Sequence, residues 1–352
     1  MTDSPGLERT AVASEPQRPL ATFAVFAYNQ EAYVREAVRA ALAQTYRPLE
    51  LILSDDASTD RTFEIMREEA RACPADVHLV LNRNEANLGI AGHMNKVIAM
   101  SRGEFLVYTA GDDISMPHQA QVSVDALLAD GKGRMALHAT VNNVDAEGNF
   151  LYARRNPYRD IVDSPEAVLE NDVYLTGSVL TVRRALYVDF PPMRTDVVNE
   201  DKVIAFRCAF FGGAIYVEEP LLTYRAGVGN STLQGDIMLS RADPEREKRY
   251  VRTTVAWRRS LLRQFQLDAD SPALAGRVSP GLRARIDAME ASCARVLRFI
   301  ETPSLLGLPA LFAAGGMNRK TAKAAVLFLA PWLFRHYKLR RQANAVGKEQ
   351  SA

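Results

Sequence analysis

The chain has 352 residues, 47% hydrophobic and 24% charged, with a formal net charge of +1. That length suits one large domain plus an extension, or two domains. The near-zero charge excludes a global pull toward nucleic acid or membrane, and the widely spaced Cys73, Cys208 and Cys293 argue against a disulfide framework or zinc site and fit a reducing cytoplasm.

Residues 1–19 are polar, lack an apolar core and read as a disordered tail rather than a signal peptide. From residue 20 to about 240 the pattern alternates. ATFAVFA predicts a first strand, and EAYVREAVRAALAQ a helix with Tyr33, Val34, Ala37, Val38, Ala41 and Leu42 on one face. LELIL predicts a second strand, and RTFEIMREEARA a helix that Ser58, Thr59 or Asp60 can cap. VHLVL is a third strand and AGHMNKVIAMS a helix after a glycine turn. EFLVY is a fourth strand, followed by the helix PHQAQVSVDALLAD. Strands alternating with helices across short polar turns predict an α/β fold, a mainly parallel sheet with helices on both faces.

Ligands of such sheets bind beyond the carboxyl ends of the strands. The turns at that edge are YNQ, SDDASTD, NRNEANLGIAG and AGDD. Singly, each has an ordinary explanation, because Asp, Asn, Ser and Gly are what turns and helix caps use. Converging on one edge, with carboxylates among them, they point to a ligand. Neither GxxxxGKS/T nor GxGxxG occurs, which excludes a P-loop and a dinucleotide fingerprint. Carboxylates beside a phosphate need a cation between them, and Asp112 and Asp113 suit Mg²⁺ or Mn²⁺. One can ligate the ion while the other orients a water or a ribose hydroxyl. Asp55 or Asp56 then accepts hydrogen bonds from a base or ribose, so the inferred ligand is a nucleoside diphosphate with its metal.

The ordered set AVFAYNQ, LILSDDASTDRT, NLGIAGHMN, YTAGDDISMP and NED resembles the family 2 glycosyltransferases over about residues 21–232. The resemblance implies the GT-A (Rossmann-like) fold over 20–240. It also implies inverting transfer of a sugar from a UDP, dTDP or GDP donor to a glycan or lipid-linked acceptor, as in cell-surface polysaccharide synthesis. By the same resemblance Asp56 contacts the base, and Asp113 is the metal ligand of a DxD-like pair, with Asp112 its ribose- or water-side neighbour. Tyr28 and Asn29 line the nucleotide pocket, and Asn87, Gly89 and Asn95 border ribose and diphosphate. Asp201, with Glu200 beside it, matches the catalytic base. On the residues alone that pair is charge decoration of the first turn of a helix, KVIAFRCAFFGG. Thr176, Gly177 and Ser178 border the acceptor.

One departure stands out. Many relatives carry a histidine shortly after the Tyr-Arg pair, and here Gly227 occupies about that place. Either Arg225 or water then supplies the missing contact to metal or diphosphate, or metal binding is weaker than usual; the other reading of Arg225 is a structural ion-pair partner of Glu218 or Glu219. Two rival readings remain. A sugar-phosphate nucleotidyltransferase needs a glycine-rich basic loop after the first strand, which FAYNQEAY lacks. A non-catalytic nucleotide-sugar-binding or scaffold protein would leave Asp201 ornamental.

Beyond about residue 240 helices take over, so 241–352 is expected to be a helical extension. GLRARIDAMEASCARVLRFIE sets Leu282, Ile286, Met289, Val296, Leu297 and Ile300 on one stripe, with Cys293 on it as core rather than as a reactive thiol. Thr302 to Gly347 contains no acidic residue but holds Arg319, Lys320, Lys323, Arg335, Lys338, Arg340 and Arg341 around two apolar runs. Those runs are too short to span a bilayer and suit a membrane interface. The alternative is that they close a groove or pack a homodimer. The expected location is the cytoplasm, peripheral on the inner face of the cell membrane, with no nucleic-acid partner.

Overall fold

A computed structural model describes residues 18–158, 163–171, 173–228 and 244–305. Most of the predicted N-terminal tail and the whole basic, apolar segment from residue 306 onward lie outside the described residues.

The alternation resolves into β1 (Ala21–Ala27), α1 (Val34–Leu42), β2 (Leu49–Asp55), α2 (Thr62–Glu69), β3 (Val77–Arg83), α3 (Gly89–Met100) and β4 (Phe105–Ala110). Every residue of β2, and all but one residue of β1 and of β4, is buried, as expected of strands covered on both faces. The predicted apolar stripe of α1 buries Val34, Ala37, Val38 and Ala41. Asp60 serves the start of α2, its Oδ1 accepting the Thr62 N–H at 3.0 Å.

The second half adds β5 (Ile114–Ser115), α4 (Gln119–Ala129), β6 (Ala136–Val144), β7 (Phe150–Arg154), α5 (Pro165–Asn171), β8 (Thr181–Arg183), α6 (Ala185–Val188), α7 (Glu200–Ala209) and β9 (Ala214–Arg225). The sheet runs β3-β2-β1-β4-β8-β6-β9-β5, with β7 on β6. Its first four strands are parallel, in the half that carries the four polar turns. From β4 on it is mixed: β8 is antiparallel to β4 and β6, β6 is parallel to β9, and β5 is antiparallel to β9. One edge of β6 is shared, by β8 at Ala136–Leu137 and by β7 from Val141 onward.

Two long helices close the described chain, α8 (Pro244–Ala269) and α9 (Pro280–Glu301). They belong to the same core as the sheet and α7. Leu261, Leu262, Phe265, Leu282 and Ile286 share one buried cluster with Val203, Ile204 and Phe206 of α7. Phe206 stacks on Phe265 with ring centres 4.1 Å apart. Met289 and Cys293 pack against the same cluster, so the predicted stripe of α9 faces protein from Leu282 to Cys293, while Val296 and Leu297 are half-buried outside that cluster.

Candidate active site

The carboxyl ends of β1 and β4 meet closely. Gly111 donates its N–H to Phe26 O at 2.8 Å. A β-carbon on Gly111 would lie 2.7 Å from Gln30 Oε1 and 2.9 Å from Ala27 Cβ, so the two turns can touch only because this residue is glycine. Beyond them opens a cavity of about 360 Å³. It brings together Tyr28, Asp56, Asp112, Asp113, Thr176, Gly177, Ser178, Glu200 and Asp201.

Asp112 and Asp113 are both buried. Burial raises the Asp112 carboxyl, and burial together with the Asp112 charge pushes Asp113 well above the usual carboxylate range. Asp113 Oδ1 accepts the Arg225 backbone N–H at 3.1 Å, while Asp113 Oδ2 is buried without a hydrogen-bond partner. A lone pair stranded this way is costly unless something else engages it. Among the described residues no three His, Cys, Asp or Glu side chains group as an all-protein metal cage.

The Arg225 side chain turns away from the cavity. Its Nη1 donates to Asp112 O at 3.0 Å and its Nη2 to Glu36 Oε2 at 2.7 Å, and its guanidinium lies 5.0 Å from the Tyr33 ring centre. It is an ion-pair partner, but of Glu36, not of Glu218 or Glu219. Those two pair with Arg155 at 3.0 Å and His118 at 2.9 Å. Pairing of Ile114 with Thr223 carries Arg225 behind the aspartates toward α1, which sequence spacing does not reveal.

Asp55 and Asp56 part company at the end of β2. Asp55 is fully buried, accepts the Ser58 N–H at 3.0 Å and stands 3.5 Å from Arg83 Nε. It anchors its own turn and does not line the cavity. Asp56 does line it, while Oδ1 accepts from Asn84 Nδ2 at 2.7 Å and Leu88 N at 2.9 Å, and Oδ2 from Gly89 N at 3.0 Å. Gly89 has φ +69°, which favours glycine, and Asn87 Oδ1 also accepts its N–H, at 3.0 Å.

Asn29 is a strut between turns. Its Oδ1 accepts the Thr59 N–H at 2.9 Å, and its own N–H donates to Ser58 Oγ at 2.9 Å. Asn95 spends both ends of its amide on Met193, donating to its O at 2.7 Å and accepting its N–H at 3.0 Å. Asn29, Asp55, Asn87, Gly89, Asn95 and Arg225 are therefore not cavity residues; they hold the loops and strands that are.

On the opposite wall, Gly177 follows Thr176 and faces the start of α7. A β-carbon there would lie 3.3 Å from Glu200 Oε1 and 3.4 Å from Asp201 Cβ. Thr176 is fixed from behind, its N–H donating to His138 Nδ1 at 3.3 Å and its Oγ1 accepting from Asn156 Nδ2 at 3.2 Å. Burial pushes His138 down to about 3, so it is neutral. Asp201 Oδ1 accepts the Lys202 N–H at 2.9 Å. Glu200 keeps a partly accessible face on the cavity but sits deep among protein atoms. Burial, then the Asp201 charge, push it up to about 8, so it holds its proton at neutral pH.

Several lining residues escaped the sequence reading: His93, Tyr108, Arg154, Tyr174 and Tyr224. His93 Nε2 lies 2.6 Å from Ser54 Oγ, and burial pushes this imidazole down to about 4. Tyr108 sits four residues before Asp112, and that proximity was a usable signal. His93 lies inside NLGIAGHMN, between the assigned Gly89 and Asn95; for Arg154 there was no signal, because the pairing of β7 with β6 brings it in.

Residues 22–168 match the family described as Glycosyl transferase family 2. The Mycobacterium tuberculosis protein Rv1520 is 31% identical over 201 residues, 56% of this chain and 56% of that one. An Escherichia coli chondroitin synthase is 29% identical over 144 residues, 41% of this chain and 20% of that one. The chain thus spans about half, or less, of the length of these curated relatives. Among solved structures, S. aureus TarS 1-349 in complex with UDP-GlcNAc aligns with a TM-score of 0.51 at 16% identity, covering 84% of this chain and 79% of that one. Mannosyltransferase PcManGT from Pyrobaculum calidifontis, in complex with GDP-Man and Mn²⁺, aligns with a TM-score of 0.51 at 19% identity, covering 92% and 88%. At those identities the likeness is one of fold, and the fold is GT-A. Residues 22–168 are thus similar to glycosyl transferase family 2, and the architecture built around them is GT-A.

Proposed function

We propose that this chain is an inverting glycosyltransferase that moves a sugar from a nucleoside diphosphate donor to a hydroxyl of a glycan or lipid-linked acceptor. The observation that carries this reading is one cavity shared by two carboxylate pairs, Asp112–Asp113 after β4 and Glu200–Asp201 opening α7. The first pair suits the diphosphate end of a donor and the second the acceptor. The bound UDP-GlcNAc and GDP-Man named for the two structural neighbours support the donor class.

Asp201 takes the proton from the acceptor hydroxyl as that oxygen attacks the anomeric carbon, and the nucleoside diphosphate leaves from the opposite face. Glu200, protonated at neutral pH, does not compete for that proton. Asp56 faces the base, its oxygens oriented by Asn84, Leu88 and Gly89. The walls hold donor and acceptor in line, which itself contributes much of the acceleration.

The unpartnered Asp113 Oδ2 fits Mn²⁺ or Mg²⁺, ions that take one or two carboxylates and complete their shell with phosphate oxygens and water. Asp113 would hold the ion, with Asp112 beside it. When bound, such an ion supplies Lewis-acid stabilisation of the departing diphosphate.

A transfer and hydrolysis screen over UDP-, GDP- and dTDP-sugars with Mn²⁺ tests the activity, and the anomeric configuration of the product tests inversion. Asp201→Asn should lower transfer by roughly 10²–10⁴-fold with donor affinity near wild type. Transfer at near wild-type rate would remove Asp201 from the base role. A peripheral membrane role, with access to a lipid-linked acceptor, rests on residues outside the described ones. Among the described residues no helix is long and apolar enough to cross a membrane. Co-sedimentation with anionic vesicles tests that role; protein left in the supernatant excludes it.

A further inference from the structure

Five carboxylates line the cavity, Asp56, Asp112, Asp113, Glu200 and Asp201, against a single arginine or lysine among the described residues, Arg154. Arg154 ends β7, opposite Val141 of β6, which in turn lies opposite Leu222 of β9. Those two ladders bring its guanidinium 4.7 Å from the ring centre of Tyr224, itself a cavity residue. The Arg154 Nε is buried without a hydrogen-bond partner, and no carboxylate among the described residues stands within ion-pair distance of it. The neighbouring Arg155 is committed elsewhere, to Glu218, with 68% of its side chain exposed.

A guanidinium stacked on an aromatic face, with N–H donors unspent, is a preformed anion site. Two anions could occupy it, the diphosphate of the donor or a charged group on the acceptor. Three observations favour the diphosphate. The Tyr224 ring that carries Arg154 directly precedes Arg225, whose backbone N–H donates to Oδ1 of Asp113, the proposed metal-side carboxylate, at 3.1 Å. Arg225 gives Nη1 to Asp112 O and Nη2 to Glu36 and does not line the cavity, whereas Arg154 does. Gly227, where a histidine was expected, has no side chain to offer.

We propose that Arg154, stacked on Tyr224, receives the leaving diphosphate in this chain. This rests on the glycosyl-transfer reading above. As the bond between the anomeric carbon and the β-phosphate oxygen breaks, its electron pair stays on that oxygen. Arg154 meets the new charge with N–H donors and keeps its own proton. The acceptor proton goes to Asp201, so Arg154 takes part in no proton transfer.

The test is calorimetric titration of UDP, GDP and dTDP, each beside its monophosphate, with Mn²⁺ present. Wild type is compared with Arg154→Gln, Arg154→Lys and Arg155→Gln. For whichever base binds, Arg154→Gln should weaken the diphosphate by about 10- to 100-fold, as expected for losing hydrogen bonds to a charged group. Monophosphate affinity should stay within about twofold, because the base and first phosphate do not depend on this residue. Arg154→Lys should recover part of the loss, keeping the charge and losing the fork, and Arg155→Gln should match wild type. An Arg154→Gln protein with the wild-type ratio of diphosphate to monophosphate affinity overturns the assignment. So does a variant defective only in acceptor saturation, which would move the cation to the acceptor side. Wild type that binds none of the three diphosphates sinks the glycosyl-transfer reading itself, and this inference with it.

Discussion

Gly177 stands so close to Asp201 that a β-carbon on the glycine would lie 3.4 Å from the aspartate Cβ, and 3.3 Å from Glu200 Oε1. The 3-10 turn after Thr176 and the first turn of α7 thus form one wall, and the space between them is set by a missing methyl group. Gly177→Ala asks the carboxylates to give by a few tenths of an ångström. Gly177→Val adds two more carbons to the same gap. We expect the alanine variant to transfer sugar within a few-fold of wild type and the valine variant to lose about 10- to 100-fold, the scale on which small misplacements in a site are felt. Nucleoside diphosphate affinity should be unchanged in both. A valine variant with full transfer activity would show that this wall does not border the reaction.

Glu200 sets a pH dependence whose sign follows from its burial. In the folded protein its carboxyl is pushed up to about 8 from an ordinary 4.5. Between those values the unfolded chain binds fewer protons at this site than the folded one, so stability falls as pH rises through the window. Its contribution is intact below the ordinary value and fully lost above about 8. Glu200→Gln cannot ionise. Denaturant midpoints from about pH 5 to pH 8.5 should decline less in the variant than in wild type. Opposing contributions from His93 and His138, both held neutral by burial, cancel in that difference. Parallel curves would mean that Glu200 is already ionised at neutral pH.

Asp113 and Asp112 should differ in their response to substitution. Asp113 carries the orphan Oδ2 and is nearly inaccessible, whereas Asp112 has its carboxyl raised less far. We expect Asp113→Ala to abolish turnover and the Mn²⁺-dependent part of UDP, GDP or dTDP binding, and Asp112→Ala to do so more mildly. Calorimetry with Mn²⁺ and with EDTA separates the two. Equal nucleotide affinity in both buffers for the wild type would refute a metal role at Asp113.

Arg207 and Asp268 join α7 to α8 through a fully buried pair, with Nε to Oδ2 at 2.9 Å and Nη2 to Oδ1 at 2.8 Å. Two of the three remaining guanidinium N–H groups go to Leu186 O and Pro191 O, so four of the five donors are engaged. Asp268→Ala strands that charge and should cost roughly 3–5 kcal/mol. Replacing both partners, Arg207→Met with Asp268→Leu, should recover much of it, because two apolar groups need no partner. Urea unfolding of the three proteins decides this. A double variant no more stable than Asp268→Ala would show that the pair is needed for more than its own neutralisation.

The parts legible in the sequence were those governed by local chemistry. Alternating apolar runs and amphipathic stripes located β1 to β4 and the helices between them, because strand and helix periods are written over a few neighbouring residues. Asp112–Asp113 stood out because two carboxylates at a strand end are rarely there for packing. Within the turns the reading was less sharp. Asp55 and Asp56 are adjacent and chemically alike, yet one anchors the turn and the other faces the cavity, a difference set by alternation at the strand end. Asn29 and Asn95 look like ligand residues and act as struts, because an amide satisfies backbone groups as readily as it does a nucleotide.

Chain order and polar-turn composition were thus enough to determine a parallel α/β half with a carboxylate-bearing edge, since each depends only on residues close in sequence. What the tertiary structure alone decided is which distant groups share the cavity. Arg154 enters it through the pairing of β7 with β6, and Arg225 leaves it through the pairing of β5 with β9, which turns it toward Glu36. Gly177 meets Asp201, 24 positions away in the numbering, by packing rather than by any pattern. Register between strands far apart in sequence comes from the side chains of both partners and the loops that deliver them. No single stretch of residues encodes it, and the site's charge balance depends on it.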